Sequence, residues 1–191
     1  MHIRRYRDED APATRAIFER AVRTTAAMHY SADQLEAWAP RLVDGAALAA
    51  WRAKRAGAHT LVAVQDDQVA GFSDLVDGAL LDMLFVDPRF GRQGIGSALI
   101  ASIIDLATSG GAPYLETHAS LVARPVFERH GFVVVAQQAP VIRGVVMTNF
   151  KMRLRLGGRI RPQGEPSELE PFPPTPGRPL RAVRRARPSG P

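Results

Sequence analysis

The chain has 191 residues, 46% of them hydrophobic, no cysteine, and a formal charge of +6 at neutral pH. That length and apolar share support one packed domain with an extension. The lack of cysteine excludes disulfides, thiolate nucleophiles and thiolate metal ligands, and makes a reducing cytoplasm the expected compartment.

In chain order, residues 3–6 suit a first strand, and Asp8 reads as the N-cap of a helix. Pro12 falls within the first turns of that helix, and Ala13, Ile17, Phe18, Ala21 and Val22 recur at helical spacing. Ser31-Ala32-Asp33-Gln34 matches a capping box, opening a short helix that carries Leu35 and Trp38 and ends at Pro40. Another helix follows Asp44 through Leu48, Trp51 and Lys54 to Gly57; Trp38 and Trp51 read as core residues, with an aromatic pocket wall as the alternative for Trp38. Leu61-Val62-Ala63-Val64, an Asp66-Asp67 turn and Val69-Ala70-Gly71-Phe72 form a hairpin, and LLDMLFV supplies the next strand, ending at Asp87-Pro88. After a glycine-rich turn, residues 95–107 place Leu99, Ile103 and Leu106 on one helical face and stop at Ser109-Gly110-Gly111. Residues 114–119 then read as a strand, 122–129 as a helix, and 132–135 with 146–156 as a final strand pair. This order predicts an α/β fold, a mixed sheet with one central strand–loop–helix crossover.

Charge and proline concentrate at the end. Residues 158–191 hold seven arginines against three glutamates, four of the six net positive charges, and nine of the fifteen prolines. With almost no periodic apolar pattern, residues 157–191 are expected to be a disordered, partly polyproline-like tail. A basic tail can touch anionic polymers, but without aromatic stacking motifs or zinc-ligand spacing a nucleic-acid partner is disfavoured. The N-terminus MHIRRYRDED has no apolar leader core, and no apolar run approaches the ~18 residues of a membrane span, so a soluble protein with no membrane partner is expected.

The stretch VDPRFGRQGIGSALI is the one most directly tied to chemistry. Three glycines in six residues, flanked by arginines and followed by a helix, are suited to a phosphate, because bare backbone N–H groups and the positive helix end face the same point. A dinucleotide fingerprint from Gly94 and Gly96 would need a small residue where Leu99 stands. A P-loop from Gly91 to Gly96 continues with Ser97-Ala98 and lacks its lysine.

Arg92-Gln93-Gly94-Ile95-Gly96 instead resembles the acetyl-CoA loop of the GNAT superfamily of N-acetyltransferases, written Arg/Gln-x-x-Gly-x-Gly/Ala. Ala123-Arg124-Pro125-Val126-Phe127-Glu128-Arg129-His130-Gly131-Phe132 resembles the family's later helix and its Gly-Phe turn. HYSADQLEAWA, DMLFVDP and TNFKMR are similar to a bacterial, YafP-like branch. The resemblance covers residues 1–156. It implies the GNAT (acyl-CoA N-acyltransferase) fold, a mixed, mostly antiparallel central sheet flanked by helices, with acetyl-CoA as co-substrate and no metal. It further implies that backbone groups of Leu84, Phe85 and Val86 pair with the pantetheine arm where the sheet splays. The N–H groups of Arg92, Gln93, Gly94, Ile95, Gly96 and Ser97 would then cradle the pyrophosphate, with Arg92 and Arg89 adding charge.

Members of the family mostly pass acetyl directly to an amine, here expected to be a primary amine of a small molecule or peptide. Asp82 is the only ionisable side chain inside its strand and the expected base or water-orienting group; by alternation it would share a face with Leu84 and Val86. Phe127 departs from the pattern, standing where the family's general-acid tyrosine does, and Ser120 replaces a frequent asparagine. Coenzyme A could leave as the thiolate, since thiols have a pKa of about 8.5, or a donor such as Tyr30, His118, His130 or Ser120 could substitute. Of these, Tyr30 and His118 join Asp82 as candidate catalytic residues. The acceptor would lie between the first helices and the final strands, with Met28-His29-Tyr30 on its wall and Arg143-Gly144 in the last connection. Phe127 also leaves an alternative, an acyl-CoA-binding regulatory module with weak or lost turnover, and a homodimer stays open.

Deleting residues 158–191 is expected to shift the melting temperature by less than about 3 °C and to leave acetyl-CoA affinity unchanged, because a polar, proline-rich segment buries little apolar surface. Differential scanning calorimetry and titration calorimetry of the truncated chain check this.

Overall fold

The computed structural model describes residues 1–41 and 45–157. The expected tail and the helix start at Asp44 lie outside these residues. The described chain runs β1 (His2–Arg5), α1 (Ala11–Arg20), α2 (Ala32–Trp38), α3 (Gly45–Ala56), β2 (His59–Gln65), β3 (Gln68–Val76), β4 (Leu80–Val86), α4 (Ile95–Ser109), β5 (Tyr114–Ser120), α5 (Arg124–Arg129), β6 (Val133–Gln138), β7 (Val141–Ile142), β8 (Val145–Val146) and β9 (Asn149–Arg155).

Seven strands form one sheet in the order β1-β2-β3-β4-β5-β9-β6. Every pairing is antiparallel except β4 with β5, the pair that α4 connects as a crossover. One face is covered by α4, whose Ile95, Leu99, Ile100 and Ile103 are buried against Leu61, Leu75, Leu81 and Leu115. On the other, Ile17, Phe18 and Val22 meet Val62, Val64 and Phe72. Each Leu or Ile so buried contributes roughly 1.5–3 kcal/mol, so the apolar rows on α1 and α4 fix which faces meet the sheet.

Local chemistry sets the ends of these elements. Asp10, rather than Asp8, organises the entry to α1. Its carboxylate accepts the Arg7 N–H at 2.8 Å and both terminal nitrogens of Arg4 at 2.7 and 2.8 Å, while Asp8 lies in a 3-10 turn, Asp8–Asp10. At α2 the expected capping box is present: Gln34 N–H donates to Ser31 Oγ and Ser31 N–H to Gln34 Oε1. Asp66 and Asp67 both take positive φ, +50° and +58°, the backbone a two-residue hairpin needs. The last strand starts at Asn149, not 146, because residues 141–146 make a separate small hairpin, β7–β8, turning at Arg143 and Gly144 with φ of +48° and +80°. Arg143 docks that hairpin on α2 by donating to the Ala37 carbonyl at 2.6 Å, and Gln34 Nε2 donates to the Val146 carbonyl. Likewise α5 begins at Arg124, two residues later than its apolar pattern suggests.

A single irregularity in β4 changes the expected geometry around Asp82. Asp74 pairs with Met83, and the next residue, Leu75, pairs with Leu81, so Asp82 is an extra residue, a β-bulge. The bulge breaks the alternation that would have grouped Asp82 with Leu84 and Val86. Leu81 and Leu84 join the α4 side, Met83 and Phe85 the α1 side, and Asp82 approaches Lys54 of α3 at 3.8 Å.

Gly71 of β3 lies opposite Val86, where a Cβ would stand 2.9 Å from the Phe85 carbonyl oxygen and 3.1 Å from Ile95 Cγ2. Gly71→Ala is therefore expected to cost about 1–3 kcal/mol, as overpacked sites do, and to weaken coenzyme binding by displacing β4. Thermal melts paired with coenzyme titration measure both effects.

Candidate active site

β4 and β5 pair only at Leu80 with Glu116 and Leu81 with Thr117. Beyond those two pairs the strands part, leaving the β5-facing edge of residues 83–86 without a ladder partner. Two clefts open around this gap.

The larger cleft, about 770 Å³, lies over Leu84, Phe85, Val86, Arg92, Gly94, Ile95, Gly96 and Ser97. Eight of the nine coenzyme-binding residues expected from sequence thus share one cavity. Gln93 does not: its amide oxygen accepts a hydrogen bond from Gln65 of β2 instead. Arg92 and Gly94 take left-handed backbone, φ +63° and +81°, which turns the chain into α4 with no side chain capping its N-terminus among the described residues. The first N–H groups of a 15-residue helix are thus presented to the cleft, the arrangement a pyrophosphate requires. Gly96 leaves Val86 Cγ2 3.6 Å from where a Cβ would stand, so helix and strand approach closely. An open strand edge followed by uncapped helix N–H groups fits acetyl-CoA.

Asp87 fixes that loop. Its carboxylate is fully buried and accepts the Arg89 N–H at 3.0 Å, the Arg89 guanidinium at 2.8 Å and Arg20 Nη2 of α1 at 2.6 Å. Burial alone would raise its pKa, but the hydrogen bonds from Arg89 and Arg20 hold it well below the usual carboxylate range. Arg89 is thereby engaged with Asp87 and does not line the cleft; Arg129, from the end of α5, does. Sequence reasoning missed Arg129, and it missed Ala21, Val22 and Thr25, which reach the cleft from a π-helical turn, Ala21–Thr25, continuing α1. Periodicity could not reveal that turn, although π-bulges recur at functional sites.

The smaller cleft, about 270 Å³, brings together Asp82, Tyr30 and His118, the three candidate catalytic residues. Trp38 packs against the core and also lines both clefts, the wall position that was its alternative; Trp51 packs on Phe18 and Phe72. The Tyr30 hydroxyl donates to the Thr148 carbonyl at 2.7 Å and accepts the Leu121 N–H at 3.0 Å, joining three loops. Burial raises its pKa, and the Leu121 N–H partly opposes that. Phe127 is buried at the inner wall against Phe132, ring centroids 5.1 Å apart, and Ser120 Oγ accepts the Ala123 N–H. The clefts meet at Trp38, Leu84, Phe85, Ser120 and Ala123, common to both.

Residues 26–154 match the family described as an acetyltransferase (GNAT) domain. The chain belongs to the GNAT acetyltransferase family. It is 39% identical over 155 residues to the uncharacterized N-acetyltransferase YafP of Escherichia coli, covering 81% of this chain and 96% of that protein. A GCN5-related N-acetyltransferase from Rhodopseudomonas palustris superposes with a TM-score of 0.76 at 33% identity, covering 81% of this chain and 95% of that one. The putative acetyltransferase yncA of Salmonella typhimurium, solved with acetyl-CoA, gives 0.61 at 25% identity over 85% and 98% of the two chains. As a GNAT enzyme the chain is an acetyl-CoA-dependent acetyltransferase with acetyl-CoA as co-substrate, and among the described residues no helix is long and apolar enough to cross a membrane.

Gly94→Asp would place a carboxylate at the mouth of α4, where open space surrounds the missing Cβ. Asp tolerates left-handed backbone, so the variant should fold and lose at least about 100-fold in acetyl-CoA affinity, or ~2.7 kcal/mol. Titration calorimetry on parent and variant checks this.

Proposed function

We propose that this GNAT enzyme transfers acetyl from acetyl-CoA to a primary amine of a small molecule or peptide by direct attack, in the cytoplasm. The observation that carries this reading is the meeting of the two clefts at the Leu84–Phe85 edge of β4. A coenzyme extended along that edge would present its thioester to an amine held in the smaller cleft. The volume, about 270 Å³, suits a small amine or one side chain of a peptide, and Trp38, Met83 and Phe85 give it apolar walls.

Asp82 is the proposed base, directly or through a water. It lines the smaller cleft beside the bulge, its side chain keeps 35% exposure, and Lys54 stands 3.8 Å away. A free N–H on the β5-facing edge of residues 84–86 polarises the thioester carbonyl and stabilises the tetrahedral oxyanion, a contribution of about 3–4 kcal/mol where such a donor has been removed. When the C–S bond breaks, the coenzyme sulfur departs as thiolate or takes a proton from His118. Phe127 has no proton to give. Tyr30, whose hydrogen is engaged by Thr148, acts by holding the cleft walls together.

Asp82→Asn is expected to lower kcat by about 10²–10⁴-fold at neutral pH, the usual range for a lost general base, with unchanged acetyl-CoA affinity. A thiol-release assay over pooled amines, followed by rates from pH 6 to 10 on the best acceptor, tests this. Coenzyme binding without thiol release on any amine would overturn the reading.

A further inference from the structure

The bulge at Asp82 is held by buried polar groups, of which Arg55, Asp74, Thr60 and Ser73 line neither cleft and Thr117 borders the smaller one. Arg55 and Asp74 form an ion pair, Nε to Oδ2 2.9 Å, with both side chains at 0% exposure. Asp74 is the strand partner of Met83, the last regular pair before the irregularity, and Arg55 also reaches Met83 Sδ, so one guanidinium spans both members of that pair. The Trp51 ring lies under the guanidinium, 4.7 Å from centroid to Cζ, and Thr60 Oγ1 lies 2.9 Å from Asp74 Oδ1. The carbonyls on either side of Asp82 are engaged too. Ser73 Oγ donates to the Met83 oxygen at 2.7 Å, and Thr117 Oγ1 to the Leu81 oxygen at 2.9 Å. Ser73 and Thr117 are themselves buried.

Such a cluster is a costly way to make a sheet. Taking a guanidinium and a carboxylate out of water costs several kcal/mol per ion, and well-packed apolar replacements of buried ion pairs are often neutral or stabilising. Burial raises Asp74 to a pKa of about 6 against the opposing pull of Arg55 and Thr60. A bulge without these partners would leave the flanking carbonyls short of donors and free to slip into regular register, which turns side chains to the opposite face.

We propose that Arg55, Asp74 and Ser73 are positioning residues for acetyl transfer. Together with Thr117 they hold the bulge that aims Asp82 into the acceptor cleft and fixes the Leu84–Phe85 edge. This rests on the reading of that cleft as the acceptor site. Structural stability alone would not require ionic or hydroxyl groups at these buried positions.

The test uses the full chain, with an Arg55→Met/Asp74→Leu double variant and a Ser73→Ala variant beside the parent. Both should melt within a few degrees of the parent and bind acetyl-CoA within about threefold of it. Their kcat should fall about tenfold or more, since small misplacements of reacting groups cost up to ~100-fold, with less change in the KM for the amine. The backbone amide resonances of residues 82–84 should move, while those of β1 remain. If the double variant does not fold, Ser73→Ala, which leaves the ion pair intact, carries the test. An unchanged kcat with unmoved amide resonances overturns the positioning role. A parent inert toward every amine overturns the acceptor reading instead, and the amide resonances still decide whether the cluster sets the bulge.

Discussion

The parallel contact between β4 and β5 is two residue pairs long, and the site depends on its being no longer. Leu80 and Leu81 join the two halves of the sheet through Glu116 and Thr117; beyond them the strands separate. A longer ladder would bury the β4 edge in hydrogen bonds and leave no open strand for a coenzyme arm. A shorter one would leave the β5-β9-β6 unit joined to the rest chiefly through α4 and side chains. The apolar cluster under α4, which includes Leu81, Leu115, Ile103 and Met152, keeps the halves together while the edge is left open. Hydrophobic burial, which is non-directional, supplies cohesion here, and the backbone hydrogen bonds left unmade supply binding capacity.

The helical loop after β4 adds the second requirement, a place for negative charge. Asp87 is an acidic residue in the middle of that loop, yet it does not repel an anion, because Arg89 and Arg20 neutralise it and its oxygens are fully buried. It acts as a strut between α1 and the loop. The α1 side contributes a π-helical turn to the larger cleft, which is thus assembled from α1, β4, α4 and α5 together.

In the smaller cleft, the geometry turns on a one-residue irregularity. Asp82 and its neighbours would have had one orientation in a regular strand and have another in the bulged one. The small β7–β8 hairpin closes the same cleft, tied to α2 by Arg143 and Gln34 and to the first helical region through Tyr30 and Thr148. None of these ties is local in sequence: Tyr30 and Thr148 are 118 positions apart.

The sequence by itself determined the fold family and the path of the glycine-rich turn into α4. Its signals there are local: a continuous apolar strand, glycines at fixed offsets before an amphipathic helix, a capping box, and a two-aspartate hairpin turn. The course of that turn is set by backbone conformation, so the glycine pattern that permits it is itself legible. Nothing in the motif says which way the Gln93 side chain on that turn will point, and Gln65 decides that from another strand. Tertiary structure alone decided the side on which Asp82 stands, the partner that occupies Arg89, the role of Trp38 as a wall and the presence of Arg129 in the cleft. Each depends on a contact between residues far apart in the chain: Asp74 against Met83, Arg20 against Asp87, α2 against the β7–β8 hairpin, and α5 against the gap in the sheet. A period of two or 3.6 carries no information about a bulge, and a charge in the sequence does not name the charge that will meet it.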